Sequence, residues 1–325
     1  MKLLESPRTD AAWNLALEQY VFDELPRDES YFMLWRNRSA VIVGRYQNTW
    51  NEVDAAFTEE QGIQVIRRLS GGGAVYHDLG NLNYTVVTDA DRADHLDFRL
   101  FCTPVAEVLA KYGVRAEIGG RNDITVDGKK FSGNAQYVRN GRVMHHGTVL
   151  FESDLGMVQR VLLPAAGKLE SKGVASVRSR VTNLREYLPP DVTMEDFRRQ
   201  LAARMCGDHA IPLPLDDPAL QRVQAICGER YARWEWNWGR SPAHAMTRRA
   251  YLDGVGSVEI HLDASDGSVQ QLLVFGDFFA VSPIEELTEA LRGVPLREEA
   301  LRAALPSGRF PIRNMDREQF LQLLL

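Results

Sequence analysis

The chain has 325 residues, 45% of them hydrophobic and 25% charged, which gives a globular protein with room for two packed cores. Its formal net charge of -6 argues against an extended nucleic-acid footprint, and Cys102, Cys206 and Cys227 have neither disulfide-framework nor zinc-ligand spacing. The N-terminus lacks an apolar core long enough for a signal peptide and no run approaches a membrane span, so the chain reads as cytosolic.

Asp10 caps a predicted helix with Trp13, Ala16, Leu17, Tyr20 and Val21 on one stripe. Asn14 and Glu18 lie one turn apart on it and read as a solvated polar pair. Tyr31–Arg36 and Ala40–Val43 follow as strands, then a short helix over Asp54–Gln61 stopped by Gly62. Gln64–Arg68 is a strand feeding Ser70-Gly71-Gly72-Gly73, and Asn83–Thr88 is the next strand. Phe101–Tyr112 is an amphipathic helix closed by Gly113, with Cys102 buried and inert inside it.

Asp127-Gly128 and Asn140-Gly141 are two-residue hairpin turns, which predict a meander of Asn122–Val126, Lys129–Val138 and Val143–Phe151. With both turns tight, Thr125 faces Lys130 and Asp123 faces Ser132, so these four side chains share one face unless a bulge intervenes. His145 and His146 point to opposite faces of the third strand, so at least one of them is structural. A short helix over Leu155–Leu163 and helices near 194–206 and 217–231 complete this part. Trp234, Trp236 and Trp238 alternate as in a packed strand. Gly239-Arg240-Ser241-Pro242 marks the boundary between a unit spanning 1–243 and a small α+β unit spanning 250–325. In the latter, strands Ser257–Leu262 and Ser268–Phe275 flank a polar turn and helical patterns fill most of the rest.

Arg67 and Arg68 end one apolar run, three glycines follow, and a second apolar run begins at once. Backbone N–H groups without side chains, beside two fixed positive charges, suit a bound anion. The loop is neither a P-loop nor a dinucleotide fingerprint. Lys130, on a strand among small residues, can point into a cleft. Ser176–Asn183, with Arg178 and Arg180, is either a polar surface loop or a lid over a polyanion.

Taken together, Arg67–Asp78, Gly120-Arg121-Asn122-Asp123, Lys130–Ala135, His145-His146-Gly147-Thr148 and Ser176–Leu184 occur in the order seen in lipoate–protein ligases. The chain resembles that family from Asn14-Leu15-Ala16-Leu17-Glu18 past Trp234-Glu235-Trp236-Asn237. The resemblance implies the α+β catalytic fold shared with biotin protein ligases, with mixed, mostly antiparallel sheets, plus a small C-terminal α+β domain. It also implies a two-step reaction. Lipoate and ATP with Mg²⁺ give lipoyl-AMP and pyrophosphate, and the lipoyl group then passes to a lysine of a lipoyl carrier domain. The carriers implied are the E2 subunits of 2-oxoacid dehydrogenases and the glycine cleavage H protein. No strip of apolar surface reads as an interface, so a monomer is expected.

By the same resemblance, ATP contacts Arg68, Gly73, Ala74, Val75, Tyr76, Asn122, Asp123, Lys130, Ser176, Arg178 and Arg180. Lipoate contacts Ser70, Gly71, Gly72, Gly73, His77, Lys130, His146 and Thr148. Asp123 either holds Mg²⁺ or orients Lys130. The chemistry agrees with these residue types, because a carboxylate attacking an α-phosphate brings two anions together and needs a cation between them. A lysine, with an ordinary pKa of about 10.4, supplies that charge electrostatically and not as a base. Two rivals are an ATP-independent octanoyl- or lipoyltransferase of the same fold, which needs a cysteine thioester, and a non-catalytic lipoate-binding protein.

Overall fold

A computed structural model describes residues 1–89, 97–119, 122–163, 181–208, 210–238, 246–265 and 267–325. In chain order, β1 (Lys2–Glu5), α1 (Ala11–Asp23), β2 (Tyr31–Trp35), β3 (Ala40–Val43), α2 (Thr49–Glu52), α3 (Ala55–Glu60) and β4 (Gln64–Arg67) lead to the glycine loop. Then come β5 (Val75–His77), β6 (Asn81–Asp89), α4 (Phe98–Lys111), β7 (Glu117–Gly119), β8 (Asp123–Val126), β9 (Lys129–Arg139) and β10 (Arg142–Leu150). Helices α5 (Leu155–Val161), α6 (Met194–Cys206), α7 (Asp217–Ile226) and α8 (Trp234–Asn237) follow. The C-terminal part holds β11 (Met246–Leu252), β12 (Gly256–Ser265), β13 (Ser268–Gly276), α9 (Ile284–Ala290), α10 (Glu298–Ala304) and α11 (Arg317–Leu324).

The central sheet has the order β1-β2-β6-β10-β9-β8-β7, and a small sheet β4-β3-β5 stands beside it. Pairing is mostly antiparallel, with β1–β2 and β3–β4 parallel. Every residue of β2 and β3 is buried, as continuous apolar strands covered on both faces should be. One face of the central sheet packs on α4 and α6 through Phe101, Val105, Leu109, Phe197 and Leu201. The other packs on α1 through Trp13, Leu17 and Val21, with α7 behind it. Strand β6 divides accordingly: Leu82, Tyr84 and Val86 join the α4 core, whereas Val87 faces α1 and the buried polar Asn83 and Thr85 share its parity.

Both hairpin turns are tight, with Asp127, Gly128, Asn140 and Gly141 all at positive φ and pairs Val126–Lys129 and Arg139–Arg142 closing them. The first hairpin carries a bulge between Ile124 and Thr125, however. Thr125 faces Lys130 as expected, but Asp123 faces Gly133, and Ser132 turns to the buried side where Asn134 donates to it. The bulge shifts side-chain parity by one residue, so Lys130 lies over Gly133 and Ser132 leaves the shared face.

The tryptophan segment is helix α8 and not a strand. The side chains of its neighbours Trp236 and Asn237 both reach the Arg67 main chain, Trp236 Nε1 donating to the carbonyl (2.8 Å) and Asn237 Oδ1 accepting from the N–H (2.9 Å), which strand alternation would forbid. The helix predicted over 217–231 is α7 followed by a π-turn at Cys227–Tyr231. The proposed boundary at 239–242 lies outside the described residues.

The C-terminal sheet β11-β12-β13 packs its own core, including Val258, Leu272, Leu291, Leu301 and Phe320. It reaches the glycine loop through the turn after β13. Gly276 N–H donates to the Tyr46 carbonyl (2.9 Å) and Gly72 N–H to the Phe278 carbonyl (3.1 Å). Phe278 stacks on Tyr46 at 5.1 Å, and Phe279 packs against Phe98 at 5.5 Å.

Candidate active site

Both arginines before the glycine loop are buried. Arg67 gives its guanidinium to the carbonyls of Gly44, Arg45, Gln47, Trp236 and Asn237 and to the Thr49 hydroxyl. Arg68 donates to the carbonyls of Ile42 (3.1 Å), Gly71 (2.6 Å) and Gly73 (2.9 Å) and to Ser70 Oγ (3.0 Å). Burial lowers the Arg68 pKa to about 10, so it stays charged at neutral pH. The expectation of two guanidinium forks turned toward an anion is therefore corrected. The Arg68 fork neutralises carbonyl dipoles of the glycine loop and fixes its shape, whereas the Arg67 fork ties the 44–47 turn to α8.

A cavity of about 120 Å³ opens between this loop, α1 and the strands β6, β10 and β9. Leu15, Trp35, Ile42 and Val75 give it apolar walls, while Lys130, Asn122, Asn83, His77, His146 and Thr148 give it polar ones. Of the expected site residues, Arg68, Gly72, Gly73 and Ala74 line it as well. Tyr76 does not. Strand alternation along β5 sends Val75 and His77 into the cavity and Tyr76 into the core behind, where its hydroxyl reaches Ser39 at 3.3 Å. Ser70 is buried behind the loop, and Gly71 is pressed against Phe278. Ser176, Arg178 and Arg180 lie outside the described residues. The segment resumes at Val181, which pairs with Lys130, and Thr182 N–H donates to the Lys130 carbonyl at 2.9 Å.

Lys130 Nζ lies 2.7 Å from Asp123 Oδ1, both side chains about one-third exposed (35% and 37%). No cluster of three or more metal-ligating side chains occurs among the described residues. A Mg²⁺ held chiefly by substrate phosphates needs only one or two carboxylates, and Asp123 fits that role.

Helix α1 supplies two residues that the sequence reading left in solvent. Asn14 and Glu18 are buried, and each sets the proton of one cavity histidine. Asn14 Nδ2 faces the carbonyls of Arg8 and Arg36, so it is the donor that reaches Asn37 Oδ1 (2.8 Å). Asn37 Nδ2 must then donate to His77 Nδ1 (3.1 Å), which leaves the His77 proton on Nε2. Burial, then the charges of Arg68 and His146, push the His77 pKa down to about 3, so the ring is neutral.

Glu18 accepts from Thr85 and from His146 Nδ1 (3.0 Å), and His146 Nε2 shares a hydrogen bond with Ser70 Oγ (2.7 Å), which itself accepts from Arg68. A relay thus runs from α1 through β10 to the glycine loop. His145, on the opposite face, stacks on Phe101 at 4.6 Å, and burial holds its pKa well below the usual value. That face is structural, as strand parity required.

Residues 10–206 match the model of the lipoyl protein ligase A/B catalytic domain, and residues 241–324 match the bacterial lipoate protein ligase C-terminus. The chain belongs to the lipoate–protein ligase family. This ligase is 38% identical to lipoate-protein ligase LplJ of Bacillus subtilis over 321 residues, which is 97% of each chain. Its fold follows that of Plasmodium falciparum LipL1, solved in complex with lipoate, with a TM-score of 0.83 at 23% identity over 99% of this chain and 97% of that one. A lipoate-protein ligase A bound with ATP superposes with a TM-score of 0.63 at 28% identity, covering 73% of the ligase and 98% of that chain. The cysteines give the transferase rival no support. Burial raises the thiol pKa of Cys102 to about 12 and of Cys206 to about 11, Cys227 is raised too, and none lines the cavity.

Proposed function

We propose that this cavity binds lipoate with its carboxylate at Lys130 and its chain along the apolar walls, and that ATP meets it beside the glycine loop. The enzyme is then an ATP-dependent lipoate–protein ligase. The lipoate carboxylate attacks the α-phosphate, a P–O bond to pyrophosphate breaks, and lipoyl-AMP remains. Lys130 sits where the two anions converge and stabilises the charge that builds on the phosphoryl oxygens. Asp123 holds the ammonium in place and is the carboxylate available to Mg²⁺, which when bound screens the phosphates. Arg68 acts through the loop it shapes. In the second step an acceptor lysine amine attacks the acyl carbon and AMP leaves, its phosphate or water taking the proton.

The acceptors are lipoyl domains, and we assign E2 subunits of 2-oxoacid dehydrogenases and the glycine cleavage H protein as carriers. A monomeric cytoplasmic enzyme with a catalytic unit over 1–243 and an accessory unit over 250–325 fits this reading; among the described residues no helix is long and apolar enough to cross a membrane. The observation that carries the proposal is the Lys130–Asp123 pair at the rim of an apolar-walled cavity closed by the glycine loop. Lipoate-dependent exchange of labelled pyrophosphate into ATP tests it. Lys130→Ala should slow exchange by about 10²–10³-fold, and exchange at the full rate would remove Lys130 from the chemistry.

A further inference from the structure

Two buried donors face the cavity with nothing to donate to. His77 and Asn83 are 3% and 1% exposed, both line the cavity, and His77 Nε2 and Asn83 Nδ2 have no hydrogen-bond partner among the described residues. The His77 proton is fixed on Nε2 by the Asn14–Asn37 chain, and Asn83 Oδ1 already accepts from Asn81 Nδ2 at 2.9 Å. A buried donor left empty opposes folding, so such groups in a cavity mark where a ligand brings an acceptor.

The place of Asn83 in the central sheet says which part of the ligand that is, and His77 lies beside it, its ring 6.0 Å from that of Trp35, the strand partner of Asn83. Asn83 pairs with Thr148 across β6 and β10, and Thr148 Oγ1 accepts from Gly133 N–H on β9. Lys130 Nζ lies directly over Gly133. Two strand spacings, about 10 Å, therefore separate Asn83 from the lysine end. That is the scale of a medium-length acyl chain, whose far portion would lie beside His77 and Asn83, with Trp35 and Ile42 among the apolar walls.

We propose that His77 Nε2–H and Asn83 Nδ2–H form a two-donor polar spot that selects acyl chains bearing a heteroatom acceptor near the far end, such as a dithiolane sulfur, over plain fatty acids. This rests on reading the cavity as the acyl pocket. A saturated chain would leave both donors buried and unpaired, whereas sulfur is an acceptor, though a weak one. The spot therefore adds discrimination of modest size.

The test compares KM for lipoate and octanoate in the pyrophosphate exchange, in the wild type and in Asn83→Leu, a swap of similar volume. The octanoate-to-lipoate KM ratio should fall by about 3- to 10-fold, the worth of one neutral hydrogen bond. An unchanged ratio overturns the proposal. A second measurement needs no variant: in wild-type protein with ¹⁵N-labelled histidine, the His77 Nε2–H resonance should move with lipoate and stay with octanoate. Equal shifts, or none, overturn it. Absence of acid-dependent exchange in the wild type would instead sink the ligase reading, and the resonance test would still decide on the polar spot.

Discussion

Gly71 has no room for a methyl group, and this makes the contact between glycine loop and C-terminal sheet testable. A Cβ on Gly71 would sit 2.3 Å from the Phe278 carbonyl oxygen and 3.3–3.4 Å from the adjoining backbone. Those are main-chain atoms, so no rotamer change relieves the clash. Restoring ordinary contact requires a separation of about 1 Å. That movement stretches the Gly72 N–H to Phe278 carbonyl bond from 3.1 Å beyond bonding range and loosens the Phe278–Tyr46 stack. One hydrogen bond and one aromatic pair, each about 0.5–1.5 kcal/mol, put the cost of Gly71→Ala at about 1–3 kcal/mol. Urea unfolding measures it, with Gly73→Ala as the control because a Cβ there meets only Asp277 Cβ at 4.0 Å. If Gly71→Ala unfolds within about 0.5 kcal/mol of the control, the contact contributes nothing and the reasoning fails.

Glu18→Gln keeps the side-chain shape but removes the charge that accepts from His146 and Thr85; it should cost about 1.5–3 kcal/mol and raise the KM for lipoate, and wild-type values for both would refute the relay. Because Lys130 and Asp123 are partly exposed, Lys130→Ala should change stability by no more than about 1 kcal/mol while exchange collapses; a large stability loss would make the lysine structural. His77 and His145 are held neutral below their ordinary pKa of about 6.5, so the unfolded chain binds more protons in acid. Their contribution is complete above about pH 6.5 and is lost as pH falls, about 2 kcal/mol for His77 by pH 5. Urea midpoints at pH 7 and pH 5 check this, and a pH-independent difference between wild type and His77→Gln would contradict it.

The elements most legible in the sequence were those carried by local chemistry. Asp10 caps α1 by accepting from Trp13 N–H, and the Asp-Gly and Asn-Gly pairs form tight turns with the positive φ values such pairs favour. Opposite destinations for His145 and His146 followed from strand parity alone. Less legible was anything that depends on what lies across the core. The bulge at Ile124–Thr125 moves Ser132 off the lysine face, and no residue in that hairpin announces it. Tyr76 was placed beside ATP by family likeness, and the parity of β5 turns its side chain into the core.

The amino-acid sequence by itself determined the family, the glycine loop, the strand lysine and the order of the motifs, because these rest on residue type and spacing along one chain. Only the tertiary structure decided what the polar residues do. Arg67 and Arg68 look like anion grips until folding surrounds them with carbonyls; Asn14 and Glu18 look solvated until β2, β6 and β10 close over α1. Burial removes water as the alternative hydrogen-bond partner, so each such group must find its partner on a distant strand, and that choice of partner is written in no local stretch of sequence.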